Sequence, residues 1–304
     1  MADMADPTFT AVDLSRLLSP DAVETLDYET ILDDAIAVFR TEMAAAGITF
    51  DGRESDPATK LLQAFAYLAQ MMRQRVNEAA RAVMAAHAVG ADLDNIAAVF
   101  GIMRKEITPA DDANGIAAVM ESDTEFRRRM VLAPEGYSVA GPEGAYVFHA
   151  LSADAEVLDA TATSPEPGEV VVSLLSRLGD GSASQRLVDV VQAYVSADTR
   201  RPLTDLVTVQ SAQIINYAVD YDLTAFNGPD GTLILTNSLA SVQAYVDESH
   251  RIGRDITLSA LYRAAHVEGA QNIRLNSPTA DVVVTRTQAP FCTGVTGRLA
   301  GTSE

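Results

Sequence analysis

Apolar side chains recur at Leu61, Phe65, Leu68, Met72, Val76, Ala79 and Val83, separated by 4, 3, 4, 4, 3 and 4 positions. That spacing puts all seven on one face of an α-helix. Asp56-Pro57 marks its start, because the carboxylate accepts from free amides of the first turn and proline there loses no needed donor. No glycine or proline interrupts residues 58–89, so the helix could extend about 40–50 Å. Lys60, Gln63, Gln70, Gln74, Asn77, Glu78 and Arg81 are expected on the opposite side. Burying the apolar stripe is worth roughly 10 kcal/mol in gross transfer free energy, so it must face something. Two readings stay open: a helix of the chain's own core, or a helix shared between subunits.

The remaining pattern mixes helical and strand periods. Tyr28–Ala46 reads as a helix with Leu32, Ile36 and Phe39 on one side and Gly47 as its stop. Asp92 or Asp94 is expected to cap a short helix over Asn95–Phe100. Further helices are predicted at Asp123–Met130, Pro142–Leu151, Ser184–Val195, Leu239–Ile252 and Leu258–Val267. Strands are predicted at Ala155–Thr163, Val170–Leu175, Leu206–Val209, Ile214–Leu223, Ile273–Leu275 and Val282–Thr285, with turns at Glu166-Pro-Gly and Pro229-Asp-Gly. Without regular βαβ alternation the class is α+β: an N-terminal helical assembly region followed by two small mixed α/β modules. The expected divisions are an acidic arm at 1–27 with a short apolar patch at Leu14, Leu17 and Leu18, the helical region at 28–110, a central module at 111–227 and a C-terminal module at 228–304. The polar Glu106–Asn114 stretch is the clearest boundary. A helix, a strand, Ser164-Pro165, Glu169 and Val170–Val172 are echoed by a helix, a strand, Ser277-Pro278, Asp281 and Val282–Val284. The echo is either a pair of related modules or a coincidence of common turn chemistry.

Composition narrows the function classes. The 304 residues carry 42 acidic and 22 basic side chains, a formal net charge of −20. That argues against a general nucleic-acid surface, whose affinity comes from cations. The single cysteine, Cys292, excludes an intrachain disulfide and argues against a zinc-thiolate site. MADMADPTFTA has neither a basic nor an apolar signal region, and no apolar run of about 18 residues exists, so neither a secretory signal nor a membrane span is expected. The expected setting is the cytoplasm.

Candidate chemistry is sparse. Gly179-Asp180-Gly181 lies between a predicted strand and helix, but Ser184 occupies the third glycine position and Asp180 would repel a phosphate, so a turn with a helix cap is expected. His87, His149, His250 and His266 show no paired metal-ligand spacing. Asp92-Leu-Asp94-Asn95 lacks the glycine and terminal glutamate of a calcium loop. Ser182 and Ser184 are not in a GxSxG elbow. Arg127-Arg128-Arg129 points three ways around a helix and, behind Glu121, Asp123 and Glu125, reads as a solvated or intersubunit salt-bridged face. No catalytic residue, cofactor or metal ligand is assigned, and an enzyme is not expected.

ESDPA at Glu54, the following LLQAFAY, RQRVNEAARA, AVGADLDNIAAVFGIMR, ESDTEFRRR (Glu121–Arg129), APEGYSVAGPEGAY (Ala133–Tyr146), ALSAD, SPEPGEVVV, RPLTDLVTV and GRDI at Gly253 occur in this order, within a resemblance that covers Tyr28 to Thr293. Together they resemble the baseplate protein J family of contractile-tailed phages and related tailocins. The resemblance implies a baseplate wedge subunit, assembled in the host cytoplasm. Two copies and one I-type wedge protein would join through N-terminal helices in a core bundle, with Leu61, Phe65, Leu68, Met72, Val76, Ala79 and Val83 as the partner face. A W-type sheath initiator would dock on that bundle. Six wedges would ring the hub and spike, C-terminal modules would close the ring, and its widening would start sheath contraction. Two copies with unlike neighbours need adjustable joints, expected at Glu106–Asn114 and Asn227–Thr232. The alternatives are a stand-alone cytoplasmic α+β binding module, or a nucleotide-using or hydrolytic enzyme.

Overall fold

The computed structural model describes residues 14, 17, 20, 23–228 and 230–303. Most of the expected acidic arm, Leu18 included, lies outside the described residues. The fold is α+β, and the chain divides into two compact units: residues through Arg104 with Ser122–Met130, and Lys105–Glu121 with the chain from Val131 onward.

The first unit is helical. Helix α1 (Tyr28–Ala45) starts where the Asp27 carboxylate accepts from the Thr30 amide, and it is followed by Gly47 in the left-handed region (φ 74°). Helix α2 (Pro57–Ala82) starts at Asp56, which accepts from the Ala58 amide at 2.9 Å. Its 26 residues end well before the expected residue 89. Arg127 explains the stop: its guanidinium donates to the carbonyls of Ala85 and Ala88, holding that turn out of the helix. Helix α3 (Gly90–Ala98) starts earlier than expected and has no side-chain cap of its own. Neither Asp92 nor Asp94 caps it; the Asp123 carboxylate, at the start of helix α4 (Asp123–Leu132), accepts from the Gly90 amide instead.

A small core forms where α3 meets α4. Leu93, Ala97 and Phe126 are fully buried, and the Arg104 guanidinium lies 4.8 Å from the Phe126 ring centre. Arg104 also bonds Asp94 at 2.8 Å and Asp123 at 2.6 Å. Burial pushes the Asp123 carboxyl up, but the bonds from Arg104 and Gly90 outweigh it and hold the group below the usual range. Of the arginine run expected as a solvated or intersubunit salt-bridged face, Arg128 is exposed, whereas Arg127 and Arg129 turn inward. Arg129 is buried, donates to the Met103 carbonyl at 2.6 Å and stacks on Phe126, while Arg127 serves the α2–α3 turn. The acceptors are carbonyls of the α2–α3 turn and of the segment after α3, outside any helical ladder.

In the second unit, Glu106–Thr108 (β1) and Val119–Met120 (β2) pair antiparallel. The polar stretch read as a boundary is thus partly a hairpin, whose turn is closed by the Asp111 carboxylate accepting from the Ala113 and Asn114 amides. After a 3-10 turn at Ala133–Tyr137 comes the first α/β module: α5 (Glu143–Ala153), β3 (Val157–Thr163), β4 (Glu169–Ser176), α6 (Gln185–Val195) and β5 (Leu206–Ser211). The sheet order is β3-β4-β5, antiparallel then parallel. Tyr146, Leu174, Leu187 and Val191 are in its core.

The second module holds β6 (Gln213–Phe226), α7 (Gly231–Ser249), α8 (Leu258–Ala265), β7 (Ala270–Ser277) and β8 (Gln288–Ser303). The order is β7-β6-β8, with β7 antiparallel and β8 parallel to β6. Tyr221, Val242 and Leu261 anchor the core. The expected division at 227/228 falls inside this module, because β6 pairs with β7 and β8. The chain passes from one sheet to the other at Ala212, whose amide donates to the Leu174 carbonyl at 2.7 Å. Residues 227–232 link β6 to α7, so they are not a joint between modules. Of the expected Pro229-Asp-Gly turn, Pro229 lies outside the described residues, and the Asp230 carboxylate caps α7 through the Thr232 amide at 2.9 Å.

Val282–Thr285 is not a sheet strand: Val282 makes one isolated bridge with Ile256, and Asp255 takes the Val284 amide at 2.8 Å. Val170–Val172 lies in the middle strand of its sheet, so the two echoed segments occupy unlike places. Beyond the short pair β1 and β2, the strand not expected from the sequence is β8, which is rich in glycine and threonine. Gly297 is needed there, since a Cβ would meet the Tyr221 ring at 2.9 Å and Leu235 at 3.1 Å.

Candidate assembly surface

Helix α2 carries two apolar faces. Leu62, Ala66 and Ala69 pack on Tyr28, Ile31, Leu32 and Ile36 of α1. The seven residues singled out by their spacing lie about a quarter turn away at 100° per residue, and every one is exposed. Leu61 is 73%, Phe65 62%, Met72 72% and Val83 76% exposed. The intrachain contact is thus made by smaller side chains, and the stronger stripe is left open.

The polar side differs from expectation at Asn77, which is buried. Its amide oxygen accepts from the Glu24 amide at 3.0 Å and its nitrogen donates to the Glu24 carbonyl at 2.9 Å. Arg73 pairs with the Glu24 carboxylate at 2.7 Å. These three bonds pin the segment preceding α1 along α2. Pattern reading could not find Asn77, because a backbone 53 positions away satisfies it.

Other exposed apolar residues extend the surface. Tyr67 and Met71 are open on α2 and Val38 on α1. Between the helices, Ile31, Val38, Phe39, Leu62, Phe65 and Arg73 line a groove of about 510 Å³. The four-residue step from Tyr67 to Met71 was the one signal for the added flank. The surface is thus an exposed patch of large apolar side chains from both helices.

The remaining motifs have structural partners. Asp180 accepts from the Ser182 amide at 3.0 Å, and Ser184 caps α6 through Leu187. Among the described residues no group of three or more His, Cys, Asp or Glu side chains is arranged to hold a metal, and no helix is long and apolar enough to cross a membrane. The Arg200 guanidinium lies 3.6 Å from the Tyr194 ring centre.

Three family domains match the chain in order: the Baseplate J-like N-terminal domain at residues 54–111, the Baseplate J-like central domain at 138–211 and the Baseplate J-like protein C-terminal domain at 217–298. The first contains the whole of α2 and the second and third fall on the two α/β modules. The chain is also 46% identical to Baseplate protein J of Escherichia phage P2 over 291 residues, which is 93% of this chain and 95% of that protein. With three domains in register and that identity over nearly the full length, the chain belongs to the baseplate J-like family.

Proposed function

We propose that the protein is a structural, non-enzymatic subunit of the baseplate of a contractile phage tail or tailocin, and that it serves as a wedge component. The observation that carries this is the exposed stripe from Leu61 to Val83 on a 26-residue helix. Six of its residues are large and apolar, and a monomer gains nothing by leaving them in water. The relative's name as a baseplate protein supports the setting.

In this reading the α2 face of two copies packs with an I-type wedge protein in a helical bundle, and a W-type sheath initiator docks on it. Six such wedges ring the hub and spike. C-terminal modules of neighbouring wedges touch to close the ring, whose widening triggers sheath contraction. Assembly takes place in the host cytoplasm and the product is part of the tail, with no nucleic acid, membrane, metal or cofactor involved. The chain is co-expressed with the neighbouring baseplate proteins and isolated by a tag, and purified tails are analysed for composition. Recovery of an I-type protein with it at a two-to-one ratio is expected. Absence from purified tails would overturn the baseplate role; presence without an I-type partner would overturn the bundle.

A further inference from the structure

The two three-stranded sheets have four outer edges, and three of them are guarded. Along β3, the Leu158 carbonyl takes Arg251 and the Thr161 hydroxyl donates to the Arg286 carbonyl. On β5, the Gln192 side chain donates to the Val207 carbonyl at 2.8 Å and accepts from the Val209 amide at 2.7 Å, standing in for a fourth strand. β7 carries the exposed charge of Arg274 in its middle, between Asn272 and Asn276. β8 has none of these devices. It pairs with β6 over its whole length, yet among the described residues no second strand pairs with it and no further backbone–backbone hydrogen bond reaches it from Phe291 to Ser303. That edge is about 40 Å long at 3.3 Å per residue. It has no lysine, no proline and one charge, Arg298, which Asp220 binds at 2.6 and 2.7 Å. Long uncharged edges recruit further strands unless blocked.

We infer that the free edge of β8 is a strand-addition site occupied by β8 of a second copy, paired antiparallel about a two-fold axis to make one six-stranded sheet. Charge selects the occupant. In a chain of net charge −20, residues 282–303 contain two arginines and no acidic side chain, so this is where a second equally acidic copy meets least repulsion. An antiparallel edge is self-complementary, as a two-fold contact requires. Leu299, exposed, lies toward the C-terminal end of the strand, where it packs by Gly231 at the start of α7, and exposed Phe226 of β6 pairs with Ser303 at that same end. They add apolar area beside the backbone bonds. The pairing gives an atomic site to the contact between C-terminal modules proposed above and rests on that reading only for its place in the ring.

The test uses the full chain carrying Phe65→Asp, which removes association through α2. Sedimentation at about 0.1 mM, a concentration that reveals even weak pairing, is combined with amide hydrogen exchange read over 291–303. A dimer with slow exchange there is expected. Adding Thr296→Lys and Thr302→Lys, both at exposed positions, should weaken it about tenfold or more through like-charge contact, with unchanged melting of the monomer. A chain that stays monomeric overturns the proposal. So does a dimer that ignores the lysines while β8 exchanges fast, or protection that appears only with a different baseplate protein. Absence of the chain from purified tails bears on the baseplate role and leaves this pairing standing.

Discussion

The Asp159 carboxylate accepts a hydrogen bond from the Ile252 amide at 3.0 Å, across 93 positions of sequence and between the two α/β modules. Asp159 is almost fully buried. Its other oxygen takes the Ala160 amide at 2.9 Å, and the neighbouring Arg251 donates to the Leu158 carbonyl at 2.9 Å. Leu175, Ala212, Ile252 and Ala289 form a small apolar cluster beside it. The two modules therefore share a core and a buried polar clasp.

Asp159→Ala should lower the stability of the pair of modules by about 1–3 kcal/mol, because the Ile252 amide is then buried without an acceptor. Asp159→Asn keeps an acceptor and should cost less. Urea denaturation followed by a probe in each module reads the effect. One shared transition is expected in the wild type, and separation of the two transitions is expected only in the alanine variant. Separate transitions in the wild type would show that the clasp does not couple the modules.

Phe65→Asp separates folding from assembly. The ring is largely in water, so the isolated chain should keep its stability within about 0.5 kcal/mol. In a bundle the same change buries an unpaired carboxylate, a cost that blocks association. Melting of the free chain and recovery of an I-type partner in co-purification are the two measurements. A large loss of melting temperature in the free chain would return the stripe to an intrachain role.

His149 should make the first α/β module sensitive to acid. Both ring nitrogens are buried without a hydrogen-bond partner. The ring sits 6.2 Å from Tyr194, over which Arg200 lies at 3.6 Å. Burial, then the Arg200 charge, pushes the imidazole below its usual 6.5. Because the folded state binds this proton less readily than the unfolded chain, stability is complete above about pH 6.5 and declines as pH falls below it, by at most about 1.4 kcal/mol per pH unit. His149→Phe removes the proton and should flatten the urea midpoint between pH 7.5 and 5. Equal slopes in both proteins would clear His149 of the effect.

Periodicity made the open face of α2 readable because its side chains are large and regularly spaced. The closed face was harder to read, since Ala66 and Ala69 carry little hydrophobic weight and are buried because α1 approaches closely. Order along the chain revealed two α/β modules, but not where one becomes the other. The chain crosses at Ala212 with no glycine or proline to mark it, while the conspicuous Asp230-Gly231 serves a helix start. Charge was misleading at Arg127 and Arg129, which turn inward to carbonyls that no local pattern identifies as free. Assignment of the family came from many ordered segments, none of which is diagnostic alone.

Gly297 tests β8, the longest of the strands that pattern reading missed. It lies in β8 beneath α7, where an added Cβ would stand 2.9 Å from the Tyr221 ring and 3.1 Å from both Leu235 and Leu239. Tyr221 cannot step aside freely: it is fully buried, and its hydroxyl is 2.8 Å from that of Ser238, which in turn donates to the Ala265 carbonyl at 2.6 Å. Gly297→Ala should therefore cost about 1–3 kcal/mol through overpacking, although alanine suits a strand better than glycine does. Gly294→Ala is the control. It lies in the same strand with nothing within 4 Å of its added Cβ, so it should be neutral or slightly stabilising. Denaturation midpoints of the two variants decide the matter, and equal effects would mean that α7 does not pack on β8 at Gly297.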